Sequence, residues 1–565
     1  MSTDYLVEIT GISDQTLAPI TLCFSTLPTY MTGPSDSPPN RVYEPRLTAP
    51  GNYELHLWGS GATRGSSAAT SGVIEVDNSD AALDACKNWG FDGQSVVLRR
   101  CPPDGVGCYP ADFPVIAAMT ASVVDFTWSK MRVSIRDINQ MTGVLPFQPT
   151  TYLGNNSLPN GVEGVATDLQ YKCKPVLLGK VNNIPAPCVN TSQLVYQVSD
   201  RTNYIAQAYT VTAVYDKGVS ITTGTNRATL AALLSATPTA ATYDWCDDAT
   251  SGCYIKLGSS PAGMVTVDAN EGTTAQRTLA QIMSRVLTGP AKVVSASIVG
   301  ATALDAIAGG EVGLWVFTGS LDVQTGQVST TTIGSLLDSL AATANAYWIN
   351  LRDGTWAIGA LAAPTGPAKA QISTWLITDV SGVTIDAGDQ ALVDSTISTN
   401  SPVPIVPWTI LLAYDQLPQT QTVTDLAASV AQARIAYVRQ QYRVALAVDA
   451  TVKALHANAP TLNYTSCFVN VTDAAAEAAR QLAMRKVRRD LIEVPLDPSV
   501  PLLPPSTRLS GDPFTLTPTD LNRGDLIELK LGRFDWDKKL FVIIGYVEDL
   551  GGPSMPAKTT LILWG

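Results

Sequence analysis

The chain has little charge for its length. Of its 565 residues, 15% are Asp, Glu, Lys or Arg, whereas 45% are hydrophobic, and the mean hydropathy is +0.11. A large protein with so few charged side chains cannot cover its whole surface with them. We therefore expect partner proteins, or further copies of this chain, to cover much of that surface.

Basic residues and long apolar runs are scarce as well. The chain has 37 Lys and Arg against 49 Asp and Glu, which gives a net charge of −12. Because nucleic-acid binders need basic grooves that displace counterions, this balance argues against stable nucleic-acid binding, although an acidic conduit past which DNA slides would fit it. No apolar run approaches eighteen residues, so we expect no membrane-spanning segment. The N-terminus lacks a signal-peptide pattern, which predicts synthesis in the cytoplasm.

Residues that carry common enzyme chemistry are few. Only two histidines occur, His56 and His456, which argues against most acid–base and zinc sites but leaves carboxylate-only enzymes open. The patterns G-x-S-x-G, H-E-x-x-H and the phosphate-binding P-loop are absent from the sequence. The acidic group DWCDD at 244–248 lacks the spacing of a calcium loop and is interpreted as a solvated turn. We therefore predict no catalytic, cofactor-binding or metal-binding residue and no cofactor.

Strand patterns dominate the chain, and its length predicts about three to five domains. Apolar residues alternate with period two in short stretches that Gly, Pro, Asp and Ser separate, most clearly toward both ends. The predicted fold class is multidomain and mainly β, with α+β middle domains. The predicted domains are an N-terminal β-barrel at 1–165, a β-rich second domain with small helical insertions at 166–290, an α+β third domain at 291–375, and a C-terminal β-barrel with two helices at 376–565.

The last forty or so residues have the clearest strand pattern. Three apolar runs, at 526–531, 540–547 and 559–564, are separated by turn residues and predict an antiparallel meander that closes a β-domain. Earlier in the chain, Asp353-Gly354 stands between two aromatic stretches. This dipeptide predicts a β-hairpin, because Gly accepts the positive φ of a tight turn.

Two helices are predicted toward the C-terminus. Apolar residues at helical spacing predict that 425–456 is helical for at least its first half. A second helix is predicted at 472–494, with Thr472 as its N-cap. Basic residues between 485 and 489 favour the helix dipole, so we interpret them as a solvated helix end rather than a DNA-binding site.

Seven tryptophans are candidates for core positions or subunit contacts. The simplest role for most of these side chains is to fill cores, with a few as anchors of subunit contacts. The residues concerned are Trp58, Trp89, Trp128, Trp315, Trp348, Trp356 and Trp408.

Short motifs follow one another in a fixed order along nearly the whole chain. In the C-terminal part they are Ala413-Tyr414, Asp425, D-A-x-x-E-A-A-R at 473–480, R-R-D at 488–490, R-F at 533–534 and T-L-x-L-W-G at 560–565. In the rest of the chain they are FST at 24–26, YEPRL at 43–47, ATRGSSAATSG at 62–72, N-x-D-x-A-L-D at 78–84, GFDG at 90–93, KPVLLGKV at 174–181, Y-x-V at 196–198, VYDKG at 214–218 and LGSSPAGMVT at 257–266. In this order they resemble the motifs of baseplate hub or tail-tip proteins of long-tailed siphophages.

The resemblance implies a four-domain virion protein similar to the hub of contractile-tail baseplates. In such a homotrimer, two β-barrel hub domains per copy form a ring with pseudo-sixfold symmetry. The implied partners are the sixfold distal tail protein above, threefold tail fibre or spike proteins below, and the tape-measure protein in the lumen. The implied location is the tail tip or baseplate, assembled in the host cytoplasm, where the hub frames or closes the DNA exit channel. The alternative is a tail-associated enzyme that degrades cell walls with a carboxylate site.

The nine cysteines leave three alternatives open. Cys101 and Cys108 bracket one turn-rich loop, and Cys246 and Cys253 bracket another, so each pair could form a disulfide outside the reducing cytoplasm. All nine could instead be free thiols. Some relatives in the resembled family carry an iron–sulfur cluster, for which Cys173, Cys188, Cys246 and Cys253 are the candidate ligands, although no C-x-x-C run is present.

Overall fold

A computed structural model shows a mainly β protein, with 40% strand and 17% helix, which confirms the predicted class at that level. Within the described residues, no helix is long and apolar enough to cross a membrane. The motif at 533–534 and parts of the motifs at 62–72 and 488–490 lie outside the described residues. The structure describes residues 4–28, 30–59, 62–67, 71–102, 106–156, 161–377, 384–386, 406–487, 489–507, 515–530, 537–551 and 557–565.

The N-terminal segment is built almost entirely of strands. A short 3-10 helix lies at Asp84–Asn88, and α1 follows the last strand. The elements are β1 Tyr5–Ile12, β2 Pro19–Ser25, β3 Tyr30–Met31, β4 Val42–Tyr43, β5 Leu47–His56, β6 Ser71–Asp77, β7 Ser95–Arg100, β8 Val115–Phe126, β9 Lys130–Arg136 and α1 Ile138–Gly143.

The second segment forms a nine-stranded sheet with its own core. Its strand order is β11-β12-β16-β15-β14-β13-β17-β10-β19, so β19 of the following segment lies at one edge. The elements are β10 Val176–Ile184, β11 Cys188–Asn190, β12 Val195–Ser199, β13 Tyr209–Asp216, β14 Val219–Arg227, α2 Leu230–Ser235, β15 Thr242–Asp248, β16 Gly252–Leu257, β17 Val265–Glu271 and α3 Leu279–Thr288.

The third segment contains both helices and short strands. The Asp353-Gly354 turn joins β22 to β23 in an antiparallel hairpin, and Gly354 has a φ of +84°, so the hairpin prediction is confirmed. The elements are β18 Ile298–Val299, α4 Ala301–Ala308, β19 Gly313–Val316, β20 Ser320–Leu321, β21 Val328–Ser329, α5 Ile333–Ala341, β22 Ala346–Asn350 and β23 Trp356–Ala360.

The C-terminal segment ends in the predicted meander, in which β30 pairs with β31 and β31 with β32, both antiparallel. Before the meander, β26, β27 and β28 form a small sheet that packs on α8. The elements are β24 Ala370–Ser373, β25 Thr384–Asp386, β26 Thr409–Tyr414, α6 Gln432–Val438, β27 Arg443–Val448, α7 Ala450–Leu455, β28 Thr461–Thr465, α8 Val471–Arg485, β29 Leu491–Leu496, β30 Leu526–Lys530, β31 Lys539–Asp549 and β32 Lys558–Trp564.

The two ends of the chain share one sheet. β5 pairs antiparallel with β31, from His56 opposite Gly545 to Asn52 opposite Asp549. The strand order β2-β1-β7-β8-β9-β6-β5-β31-β32-β29-β25 therefore crosses from N-terminal to C-terminal strands, and β30 and β24 branch from β31. One hydrophobic core contains buried side chains from both ends of the chain. The closing meander thus extends the sheet of the N-terminal strands.

Two predictions about the C-terminal helices are wrong in detail. The stretch 425–456 contains only the short helices α6 and α7, with strand β27 between them. In β27 the side chains of Val444, Leu446 and Val448 are exposed while Ala445 is buried, which is the period-two pattern of a strand. α8 begins at Val471 with Asn470 as its N-cap, not Thr472, because the backbone is still extended at Asn470.

Candidate functional site

The cysteines form neither of the proposed loop disulfides nor a metal cluster. All nine are free thiols, and no group of three or more metal-ligating side chains occurs among the described residues. Cys246 and Cys253 lie on the adjacent strands β15 and β16, but Cys253 is opposite Asp247, and the two thiols point into different cores on opposite faces of the sheet. A disulfide between them would need backbone movement. For the same reason the two cannot join Cys173 and Cys188 as ligands of one cluster.

Burial also keeps three of the cysteine thiols protonated. Burial raises the pKa of the Cys246 thiol to about 12 and that of Cys253 well above its ordinary value. Burial also raises the pKa of Cys101 to about 12, while Cys108 is exposed. Because a thiolate rather than a thiol binds metal or attacks a disulfide, these buried groups are suited to packing.

The acidic group at 244–248 is not a solvated turn, because it forms the end of strand β15. Asp244 is 2% exposed and accepts hydrogen bonds from Arg227 Nε at 2.9 Å and Nη2 at 2.7 Å. Asp247 forms an ion pair with Arg201 at 2.8 Å, and Asp248 accepts from the backbone N–H groups that begin α2 and the next turn. Protein donors therefore already occupy all three carboxylates.

A buried ion pair joins the β22–β23 hairpin to the closing meander. Arg352 lies in the hairpin turn, and its guanidinium pairs with Glu548 of β31, with side-chain exposures of 3% and 0%. The same guanidinium lies 3.8 Å from the centre of the Tyr546 ring and donates to Leu521 O at 2.8 Å. Thr559 of β32 donates to the other carboxylate oxygen of Glu548 at 2.5 Å. Turn and meander are therefore fixed to each other by one fully buried network.

A second buried arginine connects three segments. Arg523 donates to the backbone oxygens of His56 in β5, at 2.7 Å, and of Asn350 in β22. It also faces Asp137, the N-cap of α1, at 3.7 Å. Burial raises the pKa of Asp137, and the Arg523 charge acts in the opposite direction. Sequence patterns could not identify these arginines, because their partners are hundreds of residues away along the chain.

The exposed apolar side chains mark candidate assembly surfaces. Trp128, at the tip of the β8–β9 hairpin, is 97% exposed and does not fill a core, unlike the buried Trp58. On β27, Val444, Leu446 and Val448 are each about half exposed and share one side of the strand; we call them the β27 face. Large exposed apolar groups of this kind are typical of protein–protein contacts.

The histidines and the basic helix end have structural positions. His56 is buried in β5, and burial lowers its pKa, while His456 directly follows α7. Of the basic residues at the end of α8, Lys486 is exposed as predicted. Arg485 is 1% exposed and lies over the Tyr464 ring, so the prediction of a solvated side chain is wrong there.

No protein-family model and no curated protein sequence matches the chain. Among solved structures, the chain is similar to the 43 kDa tail protein of prophage MuSo2 from Shewanella oneidensis, with 9% identity, a TM-score of 0.38, and coverage of 99% of this chain and 98% of that one. It is also similar to a prophage tail protein from Listeria monocytogenes, with 7% identity, a TM-score of 0.38, and coverage of 99% and 94%. A third is an E. coli type VI secretion component described as structurally similar to T4 phage tail proteins, with 6% identity, a TM-score of 0.27, and coverage of 92% and 73%. Two of these three structures are thus prophage tail proteins, and the third is described as similar to phage tail proteins.

Proposed function

We propose that the protein is a baseplate hub at the distal end of a phage tail and that three copies form a ring. The ring joins the sixfold distal tail ring to threefold fibre or spike components and frames or closes the DNA exit channel. Two β-barrel hub domains per copy, within the boundaries 1–165 and 376–565, would give the ring its pseudo-sixfold symmetry. Its other partner is the tape-measure protein in the lumen.

The observation that carries this proposal is the sheet shared by the two ends of the chain. Eleven strands follow one another from β2 to β25, and neighbouring strands lie about 4.8 Å apart, so the path from strand to strand across the sheet is roughly 50 Å long. The β5–β31 pairing and the buried Arg352 network hold its two halves together. A rigid segment of a ring needs a continuous wall of β-structure. In the proposed ring, strands from both ends of the chain form that wall.

The surface supports the proposal in two further ways. Only 15% of residues are charged, and exposed apolar groups such as Trp128 and the β27 face need partners. The net charge of −12 suits a channel through which DNA passes without being held, because like charges do not bind.

Native mass spectrometry of the purified chain, alone and with the distal tail protein of the same phage, tests the proposal. We expect a trimer, formed either by the chain alone or on addition of that protein. Imaging of the tail tip should then place three copies around the channel. A chain that stays monomeric in both samples would contradict the proposal, as would lysis of peptidoglycan by the isolated chain in a zymogram.

A further inference from the structure

A groove lies between β28 and α5, with a cavity volume of about 820 Å³. We call it the β28–α5 groove. None of its lining residues belongs to the Arg352 or Arg523 networks described above. The lining residues that matter here are Arg64, Asp338, Asn345, Asn463, Tyr464 and Thr465.

One wall of the groove is the free edge of a strand. Ser466 N donates to Ala413 O at 2.9 Å, and Pro460 O accepts from Trp408 N at 3.2 Å, so even-numbered residues of this strand turn their backbone groups toward β26. Because these groups alternate along a strand, those of Asn463 and Thr465 point away from β26. Among the residues that the structure describes, neither has a backbone hydrogen bond on that side.

The opposite wall is the end of α5 and the residues that follow it. Cys467 N, which points to the same side as the amides of Asn463 and Thr465, donates its hydrogen bond to Thr343 Oγ1 at 3.0 Å. This contact closes one end of the groove and fixes its width there. Two residues earlier the same edge is open.

Two buried polar atoms in the groove have no partner. Asn345 is 1% exposed and Tyr464 is 4% exposed, yet neither Asn345 Oδ1 nor the Tyr464 hydroxyl has a hydrogen-bond partner among the described residues. Buried polar atoms are nearly always satisfied, and leaving one unpaired costs about 1–3 kcal/mol. Asn345 Oδ1 needs a donor, and the tyrosine hydroxyl can donate to a carbonyl. A peptide backbone supplies both groups.

The charged side chains of Arg64 and Asp338, which line the groove, already have partners within the chain. Arg64 stacks on the Tyr464 ring at 3.8 Å and donates to Ala342 O at 2.7 Å. Asp338 accepts from Trp348 Nε1 at 2.8 Å and from a backbone N–H, and burial raises its pKa. The groove therefore offers no net charge to attract a charged ligand, and it favours an uncharged one.

We propose that the β28–α5 groove binds an extended, uncharged segment of a partner protein, which pairs with the free edge of β28 as an added strand. Main-chain hydrogen bonds to Asn463 and Thr465 give the affinity, as in other cases where a peptide extends a sheet. Asn345 and Tyr464 add one contact each. This inference does not depend on the trimer, since every residue it uses belongs to one copy.

The test uses the full chain and a pool of acetylated, amidated hexapeptides made of Ser, Thr, Ala, Val and Gly. A matched pool carries an N-methyl group at every residue, so neither edge of the peptide can donate a ladder of hydrogen bonds. Amide hydrogen exchange is followed at Asn463 and Thr465. We expect the first pool to slow exchange of both amides at least tenfold and the methylated pool to leave it unchanged.

Two variants separate binding from folding. Tyr464→Phe removes the unpaired hydroxyl and keeps the ring, so we expect unchanged or higher stability and peptide binding weaker by about fivefold. Tyr442→Phe, at a half-exposed ring outside the groove, is the matched control and should leave both unchanged. Equal protection by both pools, or none by either, overturns the proposal. Protection that rises with protein concentration without peptide also overturns it, because a second copy would then be the occupant.

Discussion

Arg352 and Glu548 form a fully buried ion pair across 196 residues of sequence. One comes from a hairpin turn in the third segment and the other from a strand of the closing meander. Both side chains lose their contact with water on folding, so their charges depend on each other and on the hydrogen bonds around them. The pair therefore fixes the position of the hairpin turn relative to β31 of the meander.

Removing one charge of this pair should be costly. Glu548→Gln leaves the Arg352 guanidinium buried without a counter-charge, which destabilises proteins by about 3–5 kcal/mol. Denaturation by urea, followed by tryptophan fluorescence, measures the loss. Lys530→Gln is the control, because its ion pair with Asp537 spans 3.8 Å between side chains that are 53% and 72% exposed. We expect less than about 1 kcal/mol there, and equal losses in both variants would contradict the prediction.

The environment of Glu8 predicts how the free energy of unfolding changes with pH. Burial alone would raise the pKa of Glu8, but hydrogen bonds from the Tyr109 and Tyr43 hydroxyls, each at 2.5 Å, together with Arg41, lower it below its ordinary value of 4.5. The folded chain therefore holds this proton more weakly than the unfolded chain. The contribution of Glu8 to stability is full above pH 4.5 and is lost as the pH falls through the lowered pKa.

Comparison of wild type with Glu8→Gln checks this sign. At pH 7 we expect the variant to be less stable by about 2 kcal/mol, because it loses hydrogen bonds to a charged acceptor. The gap between the two unfolding free energies should shrink below pH 4.5. A Glu8→Gln gap that widens on acidification would contradict the assignment.

Trp128 should matter for assembly and not for folding. Its side chain is 97% exposed, so Trp128→Ser should change the free energy of unfolding by less than about 0.5 kcal/mol. Trp58→Ala, in a core position that is 1% exposed, should cost about 3–5 kcal/mol. Native mass spectrometry should show weaker complex formation for Trp128→Ser. An unchanged complex would mean that this indole lies outside the contact surfaces.

Local patterns predicted the elements whose partners are close in sequence. The three runs of the meander alternate with period two and pair with their neighbours, and Gly354 supplies the φ of +84° that the hairpin turn needs. The pairing of β5 with β31 joins residues nearly five hundred positions apart, and no local signal specifies it. Arg352 illustrates the same limit, since a charged turn residue is ordinarily exposed and only its distant partner explains its burial.

The wrong prediction for 425–456 had a signal that could have corrected it. At 444–448, valine and leucine alternate with alanine, a pattern that fits a strand as well as a helix. The β-branched valines favour the strand. At the end of α8, the sequence shows a run of basic residues but no signal that one of them is buried. Arg485 is buried because the Tyr464 ring, from another element, covers it. Burial of this kind follows from tertiary packing and not from the helix itself.

Two adjacent residues test the register of β27. Leu446 is 58% exposed, so Leu446→Lys should change the stability by less than about 0.5 kcal/mol. Ala445 is 4% exposed and packs in the core beneath the sheet, so Ala445→Lys buries a charge without a partner and should prevent or severely weaken folding. Thermal unfolding of both variants measures the difference. Similar melting temperatures would show that the strand does not hold this register.

The last strand should be needed for folding itself. β32 lies between β31 and β29 and pairs with both, and Leu561, Leu563 and Trp564 are fully buried. Deleting residues 561–565 removes these side chains and leaves unpaired backbone on both neighbours, so we expect a chain that is rapidly digested by protease. Trp564→Phe, which keeps the strand pairing and most of the apolar volume, should stay folded with a lowered melting temperature. If the deleted chain resists protease like wild type, the shared sheet does not depend on β32. The ring proposal would then lose the wall on which it rests.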